Sequence, residues 1–120
     1  MNIKRHYIDF FNDILESIKK IEQFTKGMNY NQFATDDKTS YAVIRALEII
    51  GEAAKEIPKK IKEENQELPW KEMAGMRDKL IHVYFGVNLE VVWETIEEDI
   101  PKLKPIIAQI IKEMDKNQLE

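Results

Sequence analysis

A chain of 120 residues, 43% hydrophobic and 33% charged, can bury a real core in one domain and has the composition of a helical protein. The absence of cysteine excludes disulfides, thiolate metal sites and cysteine nucleophiles, and no apolar run approaches the roughly 20 residues of a membrane span. Lys+Arg 18 against Asp+Glu 22 gives a net charge of −4, which argues against nucleic acid wrapped on a broad basic face but leaves room for a local basic site.

The opening "MNIKRHYIDFFNDI" places acids and aromatics where a signal peptide needs a plain apolar stretch, so the sequence predicts a cytoplasmic location with no membrane segment. Helical spacing dominates the chain. Tyr7, Phe10, Phe11, Ile14, Leu15, Ile18 and Ile21 recur at three- and four-residue steps, predicting a first helix over about Ile3 to Lys26. "KGMNYNQFATDD" reads as a loop, with Gly27 as the stop and Thr35 or Asp36 as the next N-cap. "DKTSYAVIRALEIIGEAAKEI" forms a second helix ending before Pro58. Its apolar positions cover more than half the circumference, so this helix should be central, leaving Tyr41, Arg45, Glu48, Glu52, Lys55 and Glu56 on an outer strip. Gly51 in its middle costs roughly 1 kcal/mol against alanine and suggests a close neighbouring backbone.

"KKIKEENQEL" suits a short exposed helix. Pro69 suits the first turn of a third long helix running to Phe85 and stopped by Gly86. Asn88 is a good N-cap for the last segment, in which Pro101 and Pro105 each remove a donor and predict a kink or break near Ile100. With strand-like alternation nearly absent and no linker visible, the expectation is an all-α fold, an antiparallel four- to five-helix bundle forming a single domain over residues 1–120.

The third helix raises a chemical question. On a wheel at about 100° per residue, Trp70, Met73, Ala74, Met76, Leu80, Ile81, Val83, Tyr84 and Phe85 share one apolar arc, and Arg77 falls near its centre. A guanidinium cannot shed its charge by a pKa shift, so it must snorkel, pair with an acid such as Glu48 or Glu52, or face a cleft that admits an anion. His82 stands one turn after Asp78, within reach of the carboxylate, and in the last helical turn where the dipole favours a cation. Both influences raise an imidazole pKa toward the range useful in acid–base chemistry. His6 lies on the polar side of the first helix and reads as surface. Arg77 and His82 are about 140° apart on an ideal helix, so they converge only if the helix unwinds before Gly86 or if two copies meet across a symmetric seam. The wide apolar arc favours the second arrangement, a homodimer.

"RDKLIHVY" resembles the R-x4-H-x-Y motif of HEPN-domain ribonucleases, with Arg77, Asp78, His82 and Tyr84 at the matching positions. "DDKTSYAVIRALEIIGEAAKEIP" is similar to the second helix of the HepT branch, and "LPWKEMAGMRDKLIHVYFGVNLEVVWETIEEDIPKLK" to its third and fourth. This resemblance spans nearly the whole chain, to about Gln109. It implies a helical homodimer with paired motifs at its interface, acting as a metal-independent endoribonuclease that needs no cofactor. It further implies the toxin of a type VII toxin–antitoxin pair with transfer RNA as target. The partner would be an MntA-like, ATP-using nucleotidyltransferase antitoxin that adds AMP to the motif tyrosine, here Tyr84.

The residues suit that chemistry. Cleaving RNA without metal needs a base for the 2′-hydroxyl and a cation for the crowded phosphorane, roles open to His82 and Arg77, with Asp78 orienting the imidazole. Lys71, Lys79 and the "KKIK" run are candidates for guiding RNA, although charge runs are more often plain solvated surface. Two other readings fit the same pattern. One is a non-catalytic nucleotide- or substrate-binding subunit of a nucleotidyltransferase complex. The other is a purely structural dimer in which Arg77 is a buried tether.

Overall fold

The computed structural model describes the backbone of residues 3–81 and 88–118 and the side chains of residues 7–76 and 88–116. Helix α1 spans Ile3–Thr25, and its stripe of apolar residues becomes the core: Phe11, Ile14, Ile18 and Ile21 are completely buried. The Thr25 hydroxyl donates to the Ile21 carbonyl at 2.7 Å, and Gly27 follows with φ +76°, the left-handed conformation that ends helices and that a β-carbon would strain.

The stretch expected as a loop contains a short helix, α2 (Tyr30–Thr35). Its cause is local. The Asn29 side chain accepts from the Gln32 backbone N–H, and the Gln32 side chain accepts from the Asn29 N–H, both at 2.9 Å. This reciprocal cap satisfies donors that a single turn otherwise leaves orphaned, and the fully buried Phe33 anchors it.

Asp36 caps α3 (Asp37–Glu56), its carboxylate accepting from the Thr39 N–H at 3.0 Å. The helix is as central as its pattern predicts. Val43, Ala46, Leu47, Ile50, Gly51, Ala53 and Ala54 are buried, while Tyr41 is 75% exposed on the outer strip. Helix α4 (Lys59–Glu64) is the expected short piece, with no buried residue. Its Lys62 ammonium lies 5.7 Å from the centre of the Trp70 ring, whose Nε1–H donates to the Asn65 carbonyl at 3.0 Å. Helix α5 spans Trp70–Ile81. The predicted extension to Phe85 and the stop at Gly86 lie outside the described residues.

Asn88 caps α6 (Leu89–Glu94), its side chain accepting from the Glu90 N–H at 3.1 Å. A π-helical turn, Thr95–Asp99, then leads without a break into α7 (Ile100–Gln118). The irregularity expected near Ile100 is therefore a widened turn. Pro101 has no N–H to give and its ring crowds the carbonyl four residues back, and a local π winding relieves both problems. Pro105 sits inside α7.

Packing runs in a row. α3 lies between α1 and α5, and α1 lies between α3 and α7, while α2 bridges α3 and α6. Lys104 of α7 meets Glu22 of α1 at 2.8 Å across one seam. Among the described residues there is no strand, which fits the expected all-α bundle, and no helix is long and apolar enough to cross a membrane.

Candidate active site

The "RDKLIHVY" stretch begins on helix α5, whose first two turns show how it is held. The Pro69 carbonyl accepts the Met73 N–H at 2.9 Å, starting the helix. Met73 is completely buried and Met76 is 8% exposed, both in the core that α5 shares with α3. Trp70 meets Phe11 of α1 edge-on, with centroids 6.0 Å apart. Gly75 is not a point of close approach, because a β-carbon built there meets nothing within 4 Å.

Arg77 and Asp78 follow in the helical backbone of α5, one turn beyond Met73 and Ala74. Their side chains and that of Lys79 lie outside the described residues, as do His82 and Tyr84 entirely. The expected meeting of arginine and imidazole lies there too, as does the His6 side chain. Lys71 is described, and it is exposed. It stands six residues before Arg77, about 9 Å along the helix axis. Of the "KKIK" run, Lys59 and Lys60 are exposed and Lys62 is half-buried against Trp70.

The neighbouring helix shows what surrounds the acids expected as partners of Arg77. Arg45 of α3 reaches Glu48 at 3.4 Å and Glu52 at 3.7 Å, a cation shared along their own helix, and the expected pairing of these acids with Arg77 lies outside the described residues. All three side chains are substantially exposed, and such pairs bind weakly in water.

Among the described residues two carboxyl groups have shifted pKa values, and both lie away from α5. Asp13 is raised, first by partial withdrawal from water in a crevice between α1 and α3, then by the charges of Glu16 and Asp9. Asp36 is lowered, chiefly by the Thr39 N–H that it accepts as a cap.

Comparison with known proteins gives these positions a context. A family model described as "Ribonuclease HepT-like" matches residues 14–110. A probable ribonuclease HepT of Thermococcus cleftensis is 56% identical over 85% of this chain and 93% of its own length. A Methanocaldococcus jannaschii protein assigned as an RNase is 50% identical over 93% of each chain. Another protein so assigned, from Caldanaerobacter subterraneus, is 43% identical over 93% of this chain and 97% of its own. No solved structure gives a significant match. The matched segment includes all of α2 to α6 and the "RDKLIHVY" stretch, and the chain belongs to the HepT-like ribonuclease family.

Proposed function

We propose that this protein is a metal-independent endoribonuclease toxin that acts as a homodimer on transfer RNA. One observation carries the reading: "RDKLIHVY" begins on the helix α5 of a chain that belongs to the HepT-like ribonuclease family. In this proposal His82 removes the proton of a ribose 2′-hydroxyl, whose oxygen attacks the adjacent phosphorus. Arg77 stabilises the negative charge that builds on the phosphorane oxygens. The 5′-oxygen leaves and takes a proton from an imidazolium, so the products are a 2′,3′-cyclic phosphate and a 5′-hydroxyl. Asp78, one turn before His82, orients the ring and supports its charged form. Exposed Lys71 and neighbouring Lys79 draw the polyanion locally, which a chain of net charge −4 requires.

The proposed restraint is covalent. An ATP-using nucleotidyltransferase of the MntA type transfers AMP to Tyr84: the phenolic oxygen attacks the α-phosphate, pyrophosphate leaves, and the phenolic proton is lost. The adduct adds a bulky anion seven residues after Arg77, on the same side of an ideal helix, and competes with the RNA phosphate for the guanidinium.

The decisive experiment incubates the purified dimer with transfer RNA in EDTA. Cleavage by the wild type with cyclic-phosphate ends, absent for His82→Ala, supports the proposal. Intact RNA with both proteins would favour the binding-subunit reading. Co-expression with a gene-adjacent nucleotidyltransferase should add adenylyl mass to the wild type and not to Tyr84→Phe.

A further inference from the structure

Among the described residues the row of helices is open at one place. α5 packs extensively on α3 and α7 on α1, but among the described residues α5 has no comparable packing with α6 or α7. Between them lies a cleft of about 420 Å³. Its floor is Leu47 of α3 with Met76, Val92 and Leu103, all nearly inaccessible to solvent, and Val91 continues it into the open at 40% exposure. The wall supplied by α6, the π turn and α7 runs from Val91 to Ile106, about 20 Å at helical rise. Among the described residues that line it, the exposed acids are Glu67, Glu72 and Asp99 and the base is Lys102.

An elongated apolar trough between helices suits the apolar stripe of an inserted helical segment better than a compact small molecule. Its rim selects the partner. Three carboxylates repel an RNA phosphate chain, and a second copy of this groove placed face to face would set acids against acids. We propose that the α5/α7 seam is a docking groove for a basic amphipathic segment of another protein, with apolar side chains against Val91 and Ile106 above the buried floor and lysine or arginine at Glu67, Glu72 and Asp99. This inference stands independently of the ribonuclease reading. The occupant would touch Met76, the residue before Arg77, and would brace the helix that bears the motif.

The test uses the full chain and a labelled synthetic peptide with leucine at i, i+3, i+4 and i+7 spacing and lysine elsewhere, followed by fluorescence anisotropy. Saturable binding of one peptide per chain is expected. Val91→Asp and Asp99→Lys, both at exposed positions, should each weaken it by about tenfold, while Glu16→Lys on the far acidic face of α1 should not. Thermal melts of each variant confirm that the fold persists. The proposal is overturned if a glutamate-for-lysine peptide binds equally well, if Glu16→Lys weakens binding as much as Asp99→Lys does, or if transfer RNA displaces the peptide from the groove. It is also overturned if Val91→Asp halves the mass of the assembly in sedimentation, since a second copy would then be the occupant.

Discussion

Phe33 and Trp93 lie with ring centroids 5.2 Å apart and planes inclined by 36°, so that α2 is fastened to α6 through one indole, which Tyr30 also meets edge-on at 6.5 Å. Phe33 is fully buried and Tyr30 half-buried. Phe33→Ala should therefore lower unfolding stability by about 3–5 kcal/mol, the range for a large aromatic deleted from a core. Tyr30→Ala should cost roughly 1 kcal/mol. Urea midpoints for the two variants measure the difference, and equal losses would mean that α2 is held by its cap rather than by this cluster.

The two shifted carboxyls give opposite dependences on pH. Asp36 has a lowered pKa in the fold, so the unfolded chain binds the extra proton; its contribution is complete above the ordinary carboxylate value and fades as pH falls through the folded value. Asp13 is raised, so the folded chain binds the extra proton, and its ionisation weakens the fold as pH rises from the ordinary value through the folded one. Asp36→Ala should thus destabilise at neutral pH and lose its effect in acid. Asp13→Asn should stabilise at neutral pH and become neutral in acid. Melting curves across the acid range read both signs.

For the proposed reaction, His82→Ala should reduce the rate of transfer RNA cleavage by roughly 100-fold or more, the usual scale for removing a general acid or base. Arg77→Lys should recover little, because an ammonium does not reproduce the planar fork of a guanidinium. Asp78→Asn should cause a smaller loss and lower the pKa seen in the pH–rate profile, since it takes away the charge that favours the imidazolium. Single-turnover cleavage at several pH values separates the three.

Lys104 and Glu22 are each close to half exposed, so their 2.8 Å contact is a surface ion pair despite its length. A double-mutant cycle on the pair should give a coupling of about 0.2–1 kcal/mol that shrinks as salt is added. A larger coupling, insensitive to salt, would show that the α1/α7 seam is drier than its exposure suggests.

The long helices are legible because their apolar residues repeat with the helical period: Phe11, Ile14, Ile18 and Ile21 occupy the core that their spacing calls for. Helix α2 escapes periodicity because a six-residue helix has too few turns to display it. The signal present is the Asn29–Gln32 capping pair in "NYNQ", whose composition is equally that of a loop. Pro101 marks where the last helix becomes irregular, but a proline cannot say whether the chain will break or merely widen. For the site, the sequence supplies residue identities and the family motif. The sharing of Arg45 by Glu48 and Glu52 is visible in their spacing along α3, whereas the expected pairing of these acids with Arg77 lies outside the described residues. The α5/α7 cleft has no sequence signal. It arises from how the helices are ranked, and each of its apolar residues would look the same in a closed bundle.

That ranking has a mechanical consequence. Because α5 leans mainly on α3 and, among the described residues, faces a cleft on the side of α6 and α7, it resembles a cantilever held chiefly along one side. Such an element can detach in a local opening without disturbing the α1–α3 contact, at a free-energy cost below that of global unfolding. Amide hydrogens of Met73 to Met76 should therefore exchange with deuterium sooner than those of Ile14 to Ile18 or Val43 to Ile50, and the stretch that leads into Arg77 would be the first long helix of the bundle to yield.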